Sequence, residues 1–133
     1  MDKYEKERSD FHIHTKYSRD SMAEPEEILA RAEQLGLKTI AITDHGTVKG
    51  GVETGKLTSD SVEVVPGVEV STNQGDLIGL DLRKEIEGRD LIEVCKEIKD
   101  KGGKVYAPHP FDKLRSSALG ESIYEIVDYL DYV

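Results

Sequence analysis

The sequence lacks nearly everything that would tie it to an oxidising compartment, a membrane or a polyanion. It holds a single cysteine, Cys95, which excludes an internal disulfide. No apolar run approaches the roughly 18 residues that a bilayer-spanning helix needs, so no membrane partner is expected. The opening MDKYEKERSD has no apolar core of the kind a secretory signal requires, and the cytoplasm is the expected location. Basic residues are outnumbered 18 to 27, giving a net charge of −9, and the resulting repulsion argues against binding long nucleic acids. A small phosphorylated substrate stays compatible with that charge if a local cation gathers it. The chain also lacks internal repeats, low-complexity stretches and linkers. At 133 residues it fits one domain, residues 1–133, burying roughly two thirds of its unfolded surface.

What is present is an alternation of strand and helix patterns. SDFHIHT places Phe11, Ile13 and Thr15 on one face and Asp10, His12 and His14 on the other, the period of a strand. Three ionisable side chains are thus expected to point the same way. PEEILARAEQLG predicts a helix with Pro25 and the acids Glu26 and Glu27 in its first turn, an apolar face of Ile28, Leu29, Ala32 and Leu35, and a stop at Gly36. The apolar run from Thr39 to Thr43 predicts a strand covered on both faces, ending in Asp44-His45-Gly46. Gly50, Gly51 and Gly55 weaken any helix between 47 and 61.

VEVVPGVEVST predicts β structure broken at Pro66-Gly67, with Glu69 near a carboxyl end, and DLIGLDL predicts another short strand. RDLIEVCKEIKDKGG is the clearest helix, with Asp90 and Glu93 at capping-box spacing and a stripe of Leu91, Val94, Cys95 and Ile98. KVYAPHP sets His109 just past a strand, where Pro108 and Pro110 are expected to hold it extended. A last helix is expected from Glu121 to Leu130, turning Ile123, Ile126, Val127 and Leu130 inward before DYV begins another strand.

This alternation predicts an α/β domain with a largely parallel sheet, in which ligands sit at the carboxyl ends of the strands. All four histidines, His12, His14, His45 and His109, fall at such ends. Imidazoles two apart on a strand can hold one divalent ion. Glu69 could bridge two ions, and Asp20, His45 and His109 could complete further sites. Paired ions activate a water and clamp the oxygens of an in-line displacement at phosphorus, so phosphate-ester hydrolysis is the natural reaction. Arg19, Lys113 and Arg115 adjoin these ligands and are the candidates for binding phosphate oxygens.

DFHIHTKYSRDS, ITDHGT, PGVEVS and APHP, in that order, resemble successive motifs of the PHP (polymerase and histidinol phosphatase) family. The resemblance implies a distorted (β/α) barrel holding two or three divalent ions (Zn, Mn or Fe) in a metal-dependent phosphoesterase. It also implies that His12, His14 and Glu69 hold one ion, Glu69 and His109 a second, and Asp20 with His45 a third. Asp10 and Asp44, the catalytic candidates, would orient the neighbouring histidines. Asp76 stands where the family often has a histidine, and would ligate with a different geometry. The family's carboxy-terminal Asp-x-His pair has no counterpart before Val133. A fragment of a longer protein is the favoured reading, beside a naturally shortened domain and a site completed by a partner chain. A barrel stopped after about five strands would leave open edges and invite self-association. Two other classes stay open: a metal-dependent hydrolase resembling amidohydrolases or TatD-type nucleases, and a metal-binding scaffold without catalysis.

Overall fold

Hydrogen bonding along the chain joins six strands into one sheet in plain sequence order, β1 to β6. The computed structural model describes residues 6–57 and 59–133. Strand β1 (Arg8–Ile13), helix α1 (Pro25–Leu35), β2 (Leu37–Ile42), α2 (Lys49–Gly55) and β3 (Glu63–Thr72) form two successive parallel crossovers. Strand β4 (Gly75–Leu80) then folds back antiparallel on β3. After helix α3 (Leu91–Asp100), β5 (Lys104–Tyr106) pairs antiparallel with β4, and β6 (Leu130–Tyr132) pairs parallel with β5. The result is a mixed α/β fold with a curled, half-barrel sheet, and the largely parallel sheet expected from sequence is corrected to a mixed one.

The correction has a local cause at Pro66-Gly67. Instead of breaking β3, this dipeptide is where the strand changes partners: Glu63 to Pro66 pair parallel with β2, and Gly67 to Thr72 pair antiparallel with β4. Gly67 fits because its missing Cβ would otherwise meet the backbone carbonyl of Gly79. Helix α2 forms despite its glycines for a related reason. A side chain at Gly50 would overlap the Asp44 carboxylate, and one at Gly51 would run into Pro66. The glycines therefore let α2 lie close against the sheet, at the cost of intrinsic helix propensity.

Period-two alternation divides the sheet into two faces. Ile40, Ile42, Val68, Val70 and Leu77 face outward, where α1 covers the first pair with Leu29 and Ala32, and α3 covers the rest with Leu91, Val94, Cys95 and Ile98. Each fully buried aliphatic side chain contributes about 1.5–3 kcal/mol. Within α1, Ile28 is half-buried and Leu35 is exposed, so the expected apolar face is narrower than the sequence pattern. Asp90 caps α3 by accepting the Glu93 backbone N–H. The expected final helix is replaced by a 3-10 segment, Gly120–Ile126, that buries Ile123 and Ile126 while Val127 stays exposed. The chain then enters β6 at Leu130, so the predicted helix is cut short by the strand pairing with β5. Among the described residues no helix is long and apolar enough to cross a membrane.

Candidate metal centre

The inner face of the curl carries Ala41, Val65, Ile78, Leu80 and Tyr106 in its floor. Glu69 pairs with Ile78 and Ser71 pairs with Asp76, so both acids belong to this face. The loops at the rim bring the histidines over it. His12 and His14 lie at the end of β1 with ring centroids 5.1 Å apart. Asp10 does not join them. Between Asp10 and Ile13 the register slips, three steps on β1 matching two on β2, and such a bulge re-aims the side chains around it. Asp10 consequently lies beside Ile13 in a groove under α1 and accepts the His12 backbone N–H at 3.1 Å.

Glu69, 2% exposed, is the point on which the imidazoles converge. Its Oε2 lies 3.2 Å from His12 Nε2, 2.9 Å from His14 Nε2 and 3.5 Å from His45 Nε2, while Oε1 lies 3.9 Å from His109 Nε2. Burial would raise the Glu69 carboxyl, but the imidazoles of His12 and His14 outweigh it and hold it far below the ordinary range. Asp20 forms a second focus, 3.0 Å from His14 Nδ1 and 3.1 Å from His45 Nε2. Against partial burial, the Ser18 hydroxyl and His14 hold its pKa at about 2. Asp76, buried at the start of β4, groups with Glu69 and His109.

His109 reaches this group through a backbone the prolines were not expected to allow. Its φ is +32°, in the left-handed region rather than extended, a conformation that costs a non-glycine residue about 1–3 kcal/mol. The 110–120 loop offsets that cost by closing on itself, with the Asp112 N–H bonded to the His109 carbonyl and the Gly120 N–H bonded to the Pro110 carbonyl. Asp44 is also differently employed. Fully buried, it accepts the Thr15 backbone N–H at 2.5 Å and the Thr15 hydroxyl at 2.7 Å. Burial raises its pKa, and the Thr15 bonds offset this only in part. Asp10 and Asp44 thus fix the backbone next to His12 and His14; among the described residues neither hydrogen-bonds an imidazole.

Arg19 and Arg115 line the pocket, whose volume is about 560 Å³, together with Ser71 and Ser117. Lys113 lines a separate groove with Phe111 and Tyr124 and is no part of this pocket. Sequence reasoning missed Ser18, whose hydroxyl donates to Asp20 at 2.6 Å and accepts the His45 N–H at 3.2 Å. It also missed Ser71, although its position two residues after Glu69 on one strand was the available signal.

The donor set fits divalent cations. Three groups, His12/His14/Glu69, His14/Asp20/His45 and Glu69/Asp76/His109, each present one ligand atom per residue within 4.8 Å of one another, a span that an ion with bonds of roughly 2.0–2.6 Å can bridge. His14 Nε2, His45 Nδ1 and His109 Nδ1 are buried without a hydrogen-bond partner, which is costly for a ring nitrogen unless it binds something else. His14 Nε2 approaches Glu69 closely without the geometry of a hydrogen bond, as two donors aimed at a common point would.

The sequence profile of the PHP domain matches residues 10–122. The chain belongs to the PHP domain family. An uncharacterized protein of Methanocaldococcus jannaschii is 43% identical over 131 residues, covering 90% of this PHP chain and 76% of the relative. A second uncharacterized protein of that organism is 34% identical, covering 93% and 48%. A 5'-3' exoribonuclease of Haemophilus influenzae is 29% identical, covering 84% and 46%. In fold, the chain is similar to a two-domain protein from Bacteroides vulgatus described as containing a predicted PHP-like metal-dependent phosphoesterase, with a TM-score of 0.63, 17% identity, and coverage of 94% of this chain and 50% of that one. The PHP chain therefore spans about half the length of several proteins it matches. Family match and donor set agree on a PHP domain whose His, Asp and Glu side chains are placed to hold divalent ions.

Proposed function

We propose that this PHP domain hydrolyses the phosphate ester of a small substrate. The observation that carries the reading is the sharing of Glu69 between two donor groups, with His14 shared between two, which sets adjacent ion sites side by side. When bound, such ions lower the pKa of a water to near neutrality and neutralise phosphate oxygens. The protein's own part is to hold that arrangement: Glu69 is anchored in the middle of β3, and Ser18 fixes both Asp20 and the His45 backbone. Arg19 and Arg115 line the same pocket and supply donors suited to phosphate oxygens. A net charge of −9 favours a small substrate over a long nucleic acid.

The fold is best understood as part of a PHP-type (β/α) barrel. Among the described residues strands β1 and β6 each pair on one side only, and such open edges are sites for further strand pairing. The function is tested by stripping the purified protein with chelator, reloading it with Mn or Zn, and following 4-nitrophenyl phosphate hydrolysis. Turnover is expected only after reloading and should fall more than about a hundredfold in His12→Ala. A fully loaded protein, verified by elemental analysis, that turns over no phosphate ester would reject the reading.

A further inference from the structure

Arginine usage singles out a second cleft. Of the six arginines, Arg8 donates to the Leu35 carbonyl, Arg31 to Gln34, Arg83 to Asp81 and Arg115 to Asp112. Among the described residues the side chains of Arg19 and Arg89 have no such partner, and both line one cleft of about 570 Å³. That cleft adjoins the metal pocket, sharing Arg19, His45 and Ser71 with it. Among the described residues Glu87 is the only acid in its lining. Lys49 adds positive charge at the rim, its ammonium lying 5.2 Å from the ring centre of Tyr17, another lining residue.

The wall that presents Arg89 is built rather than loose. Residues 81–90 form no helix or strand, yet their backbone is fastened from three elements. The Glu85 carboxylate accepts the Thr47 hydroxyl at 2.8 Å and the Val48 N–H at 3.1 Å. Lys101 donates to the Glu85 carbonyl at 2.7 Å, and Glu97 accepts the N–H groups of Gly88 at 2.8 Å and Glu87 at 3.0 Å. The Asn73 N–H donates to the Arg89 carbonyl itself at 2.9 Å. None of these bonds uses the Arg89 guanidinium, so its backbone is fixed while its five donors stay free.

We infer that this cleft is a second anion subsite and that the substrate carries two phosphate groups, one reacting at the metal centre and the other held by Arg89 with Arg19. The inference rests on the phosphoesterase reading above and narrows its substrate class. A guanidinium pairs with a phosphate through two parallel hydrogen bonds, so Arg89 selects a second phosphate by geometry as well as charge. Arg19, lining both cavities, stands between the two groups.

The test is calorimetric titration of the metal-loaded protein with butylphosphonate and with butane-1,4-diphosphonate, plus the two- and six-carbon homologues of each, none of which can be hydrolysed. The diphosphonate of best length should bind about tenfold tighter or more than its monophosphonate. Arg89→Ala should reduce that ratio to the statistical factor of about two, Arg89→Lys should retain part of it, and Glu87→Gln should increase it. Monophosphonate binding with no diphosphonate advantage at any length, or an advantage that survives Arg89→Ala, would overturn the second subsite alone. Absence of metal-dependent binding by either probe would overturn the phosphoesterase reading along with it.

Discussion

Gly50 shows how a residue far from any ligand role shapes the centre. It leaves room for the Asp44 carboxylate and the Thr15 hydroxyl, which lock the backbone beside His14. Gly50→Ala should therefore destabilise the protein by about 1–3 kcal/mol through overpacking, whereas Gly55→Ala, where an added Cβ meets nothing within 4 Å, should be neutral or stabilising. Urea denaturation of the two variants checks the contrast. His14 makes a second residue-scale prediction. The Glu69 carboxylate raises its pKa above the ordinary 6.5, burial opposing and Asp20 adding to the rise. A proton on His14 blocks the lone pair a metal needs, and a raised pKa makes that blockage begin at higher pH. Metal uptake by stripped protein should thus weaken as the pH falls, starting above 6.5, in a dye-competition titration; uptake unchanged down to pH 6 would contradict it.

At the scale of elements, β3 does the most to assemble the site. Its first half belongs to a parallel β/α unit and its second half to an antiparallel hairpin, so Glu69 is flanked by loops from both kinds of architecture. The parallel half brings His45, which bridges to Glu69 beyond the end of β2, and the hairpin brings Asp76. Helix α3 supports the hairpin from outside and anchors the 81–90 wall through Glu97. Its start is held by Asp90 and by Asn73, whose side-chain oxygen accepts the Leu91 N–H at 3.0 Å. Asp90→Ala should cost about 1 kcal/mol from the lost cap, seen as a lower urea midpoint with an unchanged slope. A loss many times larger would mean that Asp90 does more than cap.

For the whole molecule, the balance of charge governs stability. The centre gathers Asp20, Glu69 and Asp76 beneath four imidazoles in a protein already at −9. Cations that bind only the folded state stabilise it by mass action, about 2.7 kcal/mol at a hundred times the dissociation constant. Thermal unfolding should accordingly shift to higher temperature with rising Mn or Zn and return on adding chelator. The shift should be largely lost in Glu69→Gln, which leaves the shape of the side chain but removes its charge; an equal shift in that variant would place the stabilising ion elsewhere.

Much of this was legible one residue at a time. Alternation and capping marked β1, α1, β2 and α3, because those signals depend only on neighbours a few positions apart. The ligand types could be read as well, since every histidine sits beside a strand end in the chain itself. The switch of partners within β3, the bulge that turns Asp10 away, the left-handed backbone of His109 and the truncation of the last helix were decided by contacts between distant segments. So was the gathering of Arg19 and Arg89 at one cleft. Local sequence specifies which backbone conformations are cheap, whereas a pairing register or a strained turn persists only when the packed whole stabilises it more than the local preference opposes it.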